Sequence, residues 1–207
     1  MSIRYFRVMD FYTTIEKNTI AELNDRGSKF IAHAYKIQEV AEFKEVMKML
    51  KKEHPKATHH CFAYRIGFDN NNFRSGDDGE PSGSAGKPIL SQIDSRKLTN
   101  ILIIVVRYFG GTMLGIPGLI NAYKQVSSMA LQLTPVVTFP IEVNYVLSFD
   151  YTQLNLVIQI LKRSNSRILK QELQLFCKMT IAIPKIECTE VLKSLKEIPN
   201  LELQKFE

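Results

Sequence analysis

Eight of the chain's ten glycines fall in two short stretches, residues 75–88 and 107–118. The first reads Ser75-Gly-Asp-Asp-Gly-Glu-Pro-Ser-Gly-Ser-Ala-Gly-Lys87-Pro88. The second reads Arg107-Tyr-Phe-Gly-Gly-Thr-Met-Leu-Gly-Ile-Pro-Gly118. Glycine is required where the backbone turns to positive φ or passes close to another segment. Two such loops in one domain predict a site built largely from backbone, and function is sought there.

Between the loops runs Ile101-Leu-Ile-Ile-Val-Val106, an apolar run typical of a strand buried on both faces. Two strands, Glu16–Leu23 and Lys29–Ile37, are expected around a turn at Asn24–Gly27. Val40, Phe43, Met47 and Leu50 recur at helical spacing and predict a helix from Gln38 to His54, ahead of Pro55. Thr58–Phe68 reads as a strand, Asp69–Asn72 as a polar loop and Ala85–Leu98 as a short helix. Pro117 suits the first turn of a helix reaching Leu133. This half is read as β-β-α-β-α-β-α, a two-layer α/β domain.

Residues 134–140 read as a boundary, giving domains 1–136 and 137–207. The second domain follows the order βαββαβ. Its strands are expected at 141–149, 167–173, 176–183 and 201–206, with helices at 152–163 and 184–197. That is a ferredoxin-like α+β arrangement.

Composition bounds the function. No apolar window is long enough to span a membrane, and Met1–Arg7 contains no apolar signal core. Cys61, Cys177 and Cys188 lack a metal-like spacing and read as reduced thiols of a cytoplasmic protein. The net charge is +6, and residues 1–140 carry most of the excess, with 18 Lys and Arg against 13 Asp and Glu. A basic first domain can attract nucleic acid. Aromatic and basic residues interleave in Phe62–Arg65, Phe73-Arg74 and Arg107–Phe109, as at single-strand binding surfaces, though ordinary strand packing gives the same pattern.

The glycine loops fit neither common nucleotide fingerprint. Gly110, Gly111, Gly115 and Gly118 match G-x-G-x-x-G in no register. In the first loop Gly79 is too far from Gly86 and Gly83 too near, and Pro88 replaces the Ser or Thr that binds magnesium in a P-loop. The helix start after Ile101–Val106 can still favour an anion, with Arg107 and Lys124 nearby. Asp77, Asp78 and Glu80 lie within four residues. Clustered carboxylates either hold a divalent cation or accept backbone N–H bonds that lock a turn. His59 and Cys61 share one strand face and His60 takes the other. A buried, hydrogen-bonded histidine explains them better than half a zinc site.

Ala57-Thr-His-His-Cys-Phe-Ala-Tyr64, Asp77-Asp-Gly-Glu-Pro-Ser-Gly-Ser-Ala-Gly-Lys-Pro-Ile-Leu90, Val106-Arg-Tyr-Phe-Gly-Gly111 and Gly27-Ser-Lys-Phe30 together resemble the IMPACT/YigZ family across essentially the whole chain. The resemblance implies a first domain like the second domain of ribosomal protein uS5. It implies a second domain like the last domain of elongation factor G. Eukaryotic members regulate translation by binding a ribosome-associated activator of a kinase. The implied function is a cytoplasmic, non-enzymatic binding protein whose partner is ribosome, RNA or a translation-associated protein, with no cofactor. The candidate binding residues are Asp77, Asp78, Glu80, Ser84 and Lys87 from the first loop. Arg107, Tyr108, Gly110 and Gly111 come from the second, with Lys124 on the helix beyond. The alternative is a hydrolase or transferase in which Asp77, Asp78 and Glu80 hold Mg²⁺ and Lys87 and Arg107 face phosphate.

The chain departs from the family's usual Leu-Gly-Thr-Gly-Gly-Leu-Val-Arg-Ala-Tyr at residues 114–123. Ile116 removes a hydroxyl, Pro117 an N–H and Asn121 a positive charge. Losing one donor and one cation weakens an anion site by about 1–3 kcal/mol.

Overall fold

The computed structural model describes residues 10–69 and 71–206. The readings made for Met1–Arg7 and for Asn70 lie outside the described residues. The chain divides into two compact units. One is Tyr12–Thr138, and the other takes the residues up to Phe11 and from Phe139 on.

The Tyr12–Thr138 unit is built on a five-stranded antiparallel sheet in the order β2-β3-β6-β4-β5. Its strands are β2 (Thr19–Asp25), β3 (Ser28–Lys36), β4 (His59–Ile66), β5 (Asn72–Gly76) and β6 (Ile101–Tyr108). Three helices cover it: α1 (Val40–Glu53), α2 (Gly86–Ser95) and α3 (Gly115–Gln132). The central strand β6 explains the layering. Ile101, Ile103 and Val105 pack with Ile89 and Ile93 of α2 and Val126 and Ala130 of α3. Leu102 and Ile104 point the other way, against Phe43 and Leu50 of α1. Helices therefore lie on both faces, which corrects the two-layer expectation. An uninterrupted apolar strand exposes two faces, and each buried side chain contributes about 1.5–3 kcal/mol only when covered.

Other boundaries also move. The strand read at Glu16–Leu23 is broken: β1 (Phe11–Ile15) precedes a turn, and β2 starts at Thr19. β1 pairs with β7 (Val136–Pro140) as a separate two-stranded sheet, so the stretch read as a plain boundary contains a strand. Part of the stretch read as polar loop is the start of β5, an exposed edge strand paired with β4. The β2–β3 turn tightens to Arg26-Gly27, both at positive φ (45° and 81°), the geometry of a two-residue hairpin turn.

The other unit contains β8 (Glu142–Asp150), α4 (Leu154–Arg163), β9 (Arg167–Glu172), β10 (Phe176–Pro184), α5 (Cys188–Lys196) and β11 (Glu202–Lys205). The sheet order is β11-β8-β10-β9. Leu147, Met179 and Ile181 from the sheet meet Val157 and Leu161 of α4 and Val191 and Leu195 of α5 in one core. The observed element order is β-α-β-β-α-β.

On the α1 face of the larger sheet, His33 and His60 are buried. Neither ring nitrogen of His33 has a hydrogen-bond partner among the described residues. Burial lowers the pKa of both. For His33 the nearby His54 lowers it further, while Glu53 and Glu22 oppose. For His60, Asp78 opposes burial and Lys51 reinforces it. The unfolded chain takes up these protons near pH 6.5 and the native state resists, so stability must fall as pH drops below that value. The urea midpoint is expected to be lower at pH 5.5 than at pH 7.5, and His33→Leu is expected to flatten the difference. An equal or higher midpoint at pH 5.5 contradicts this.

Candidate functional site

The two glycine loops and the β2–β3 turn converge at one end of the sheet, and their polar groups bond chiefly to one another. Asp77 precedes α2 and turns its carboxylate into the helix start. Its Oδ1 accepts from the N–H groups of Ala85 and Gly86 at 3.0 and 2.8 Å, and its Oδ2 accepts from Gly83 at 2.9 Å. Burial alone raises its pKa, but the N–H groups of Gly83, Gly86 and Ala85 and the Lys87 charge outweigh it and hold the carboxyl below the usual range. The anion position at this helix start is thus filled by the protein's own carboxylate.

Asp78 stands at φ 45° and turns back toward β4. Its Oδ2 accepts from the His60 N–H at 2.7 Å, and its carbonyl lies 2.7 Å from His59 Nδ1. Lys51 of α1 approaches its Oδ1 at 3.8 Å.

Glu80 lies deeper. Its side chain is 3% exposed, and Oε1 accepts from Arg107 Nη1 at 2.6 Å and from Tyr123 Oη at 2.7 Å. His59 Nε2 stands 3.9 Å away. Tyr123, on α3, in turn accepts from Cys61 Sγ at 3.3 Å, and the same thiol reaches the Asp77 carbonyl at 3.0 Å. Arg107 Nη2 donates to Ser28 Oγ at 3.3 Å, and its guanidinium lies over the rings of Phe30 and Phe109. One buried ion pair therefore joins the first loop to β6, and its neighbours bring in β3, β4 and α3.

Backbone packing completes the lock. Gly110 donates its N–H to Ser28 Oγ at 3.2 Å. A Cβ on Gly110 would fall 1.8 Å from the Gly27 carbonyl carbon, and one on Gly86 would fall 2.8 Å from the Gly76 nitrogen. These glycines are close-approach residues. Gly111, at φ 85° with nothing within 4 Å of a Cβ, is needed for its backbone angle.

The structure therefore gathers Asp77, Asp78, Glu80, Ser84, Arg107 and Gly110, and it adds Tyr123, Cys61, His59 and Ser28. The Ser84 hydroxyl donates to the Pro81 carbonyl within the loop. Lys87 is exposed, its stem beside Gly83. Tyr108 falls on the opposite sheet face, 2.9 Å from His54 Nδ1. Lys124 lies apart, in an open groove of about 390 Å³ with Gln92, Asn121 and Ser128 of α2 and α3. Tyr123 fell within the helix expected to reach Leu133, with no role assigned to it. A phenol there needs a polar partner, and that partner stands 43 residues away.

Chemically the cluster is held rather than poised. Burial pushes the Cys61 thiol up, away from thiolate character. Burial, then the neighbouring Cys61 and Glu80, raise the Tyr123 phenol. The three carboxylates face three different partners. Among the described residues no group of three or more His, Cys, Asp or Glu is arranged to hold a metal ion. No helix among them is long and apolar enough to cross a membrane.

The profile of the Impact N-terminal domain matches residues 26–131, a span that holds every member of this cluster. The chain is 34% identical to IMPACT family member YigZ of Escherichia coli (strain K12) over 182 residues, 86% of this chain and 89% of that protein. It is 37% identical to IMPACT family member YvyE of Bacillus subtilis (strain 168) over 153 residues, 74% of this chain and 70% of that one. A crystal structure described as that of a hypothetical protein aligns with 97% of this chain and 99% of its own, at TM-score 0.74 and 29% identity.

Proposed function

The chain belongs to the IMPACT family, and from that premise we propose that it is a cytoplasmic, non-enzymatic binding protein acting in translation. Its partner is ribosome, RNA or a translation-associated protein. On this reading the Tyr12–Thr138 unit is the uS5-like domain that carries the binding surface. The ferredoxin-like unit positions it.

The observation that carries this reading is the mutual satisfaction of the signature groups. Asp77 caps α2, Asp78 braces β4, and Glu80 is engaged by Arg107 and Tyr123. General acid–base or nucleophilic work requires a group within reach of a substrate proton or carbon. Here those groups are turned inward. What they support is a shaped outer surface, with Phe109, Met113 and Ile116 exposed on the second loop. Such a surface suits recognition. Translation enters through the family resemblance, whose eukaryotic members regulate it.

Purified protein is expected to co-sediment with ribosomes from its own source at about 50 mM salt and to be released as salt rises toward 300 mM, as phosphate contacts require. No association at the lower salt, with either ribosomes or ribosomal RNA, overturns the proposal.

A further inference from the structure

We propose that the outward face of α1 is a docking surface for the phosphate backbone of RNA. The inference rests on the translation reading above and goes beyond it by naming a partner chemistry and a surface on α1, beside the first glycine loop rather than on it. Lys44, Lys48 and Lys52 recur every four residues along α1, with Lys51 beside them and Lys56 just past the helix end. All five are exposed. At 1.5 Å rise per residue the row advances about 6 Å per lysine. Phe43 and Leu50 fix the helix on the sheet from the opposite side, so the row faces solvent.

The helix's own needs do not account for the row. Glu42 is taken by the helix start, where it accepts from the N–H groups of Gln38 and Glu39. The macrodipole favours Lys51 and Lys52 in the last turn, but not Lys44 and Lys48. Like charges four residues apart weaken a helix by a few tenths of a kcal/mol per pair, whereas alternating Glu and Lys strengthen it. Lys51 approaches Asp78, but Lys44, Lys48, Lys52 and Lys56 have no ion-pair partner within 4 Å among the described residues. A regular line of unpaired cations on a rigid helix complements a regular line of anions. It lies in the part of the chain that carries most of the excess positive charge. Contacts of this kind read backbone and not sequence.

The test uses the full chain and a fluorescein-labelled single-stranded RNA of 20 mixed-sequence nucleotides, followed by anisotropy. Three to four phosphate contacts predict a slope of log K against log salt of about −2 to −3, a loss of roughly 20- to 50-fold between 50 and 200 mM. The triple variant Lys44→Gln/Lys48→Gln/Lys52→Gln should bind at least about tenfold more weakly at 50 mM, with a slope shallower by about 2, and should melt at or slightly above the wild-type temperature. Absence of RNA binding by the wild type at 50 mM, or wild-type binding by the triple variant, overturns the inference. Displacement of the RNA by polyglutamate of equal charge as readily as by unlabelled RNA also overturns it, in favour of an acidic protein partner. The two proposals fail separately. Ribosome association by the wild type, with RNA binding unchanged in the triple variant, removes only the lysine row. No association of the wild type with either ribosomes or ribosomal RNA removes the translation reading.

Discussion

Gly110→Ala should cost about 3 kcal/mol of stability, the upper part of the range for overpacking a tight contact. The new methyl group would lie 1.8 Å from the carbonyl carbon and 2.0 Å from the carbonyl oxygen of Gly27, and 2.2 Å from the Ser28 nitrogen. All three obstacles are backbone, so no side chain can rotate away. The only relief is separation of the second loop from the β2–β3 turn. That separation also breaks the Gly110 N–H bond to Ser28 and disturbs the contact of Ser28 with Arg107. The adjacent Gly111 supplies the control. Its Cβ would meet nothing, and only its positive φ opposes alanine, so Gly111→Ala should cost about 1 kcal/mol. Urea unfolding followed by circular dichroism separates the two. With a slope near 2 kcal/mol per molar urea, the midpoints should fall by about 1.5 M and about 0.5 M. Equal effects at the two positions would contradict the close-approach account.

Breaking the Glu80–Arg107 pair should be as damaging, and the damage should be largely recoverable. Both side chains are almost wholly buried, and Arg107 Nε has no hydrogen-bond partner among the described residues. Removing one charge leaves the other unpaired in the core. Glu80→Gln and Arg107→Met should therefore each cost about 3–5 kcal/mol, a large share of what holds a domain together. The double variant removes both charges. The amide oxygen introduced by Glu80→Gln can keep the Tyr123 hydrogen bond. Its NH₂ can turn to His59 Nε2, a free acceptor when Nδ1 donates its proton to the Asp78 carbonyl. The double variant should recover most of the loss, since replacing a whole buried pair is often close to neutral. Additive costs in the double-mutant cycle would place the function of these residues elsewhere.

The sequence revealed the fold more readily than the site, and particular residues show why. β6 was legible because six consecutive apolar residues admit few other environments. α3 was legible because Pro117 marks a first turn. β5 was hidden because an edge strand with Asn72, Phe73 and Arg74 exposed buries too little to impose a pattern. The three carboxylates of the first loop illustrate the limit at the site. Within four residues of sequence they look like one charge cluster. Folded, the left-handed turn at Asp78 and the glycine angle at Gly79 send them in three directions. The sequence reading held both alternatives, cation holding and turn locking, and the turn-locking bonds are those of Asp77 to the N–H groups of Gly83, Ala85 and Gly86. Arg107 and Tyr123 lie 27 and 43 residues from Glu80, beyond any local pattern.

These residues join a mixed α/β architecture to the role proposed for it. Local turns built from glycine bring three loops together, and a buried ion pair with its phenol and thiol neighbours holds them. On the proposed reading, the surface above them is what a partner recognises. The claim that the signature polar groups support that surface rather than react is tested most directly by co-sedimentation of the folded Glu80→Gln/Arg107→Met variant with ribosomes. Binding equal to wild type is expected at about 50 mM salt, with the same release as salt rises. A double variant that folds with recovered stability yet no longer associates with ribosomes would contradict it.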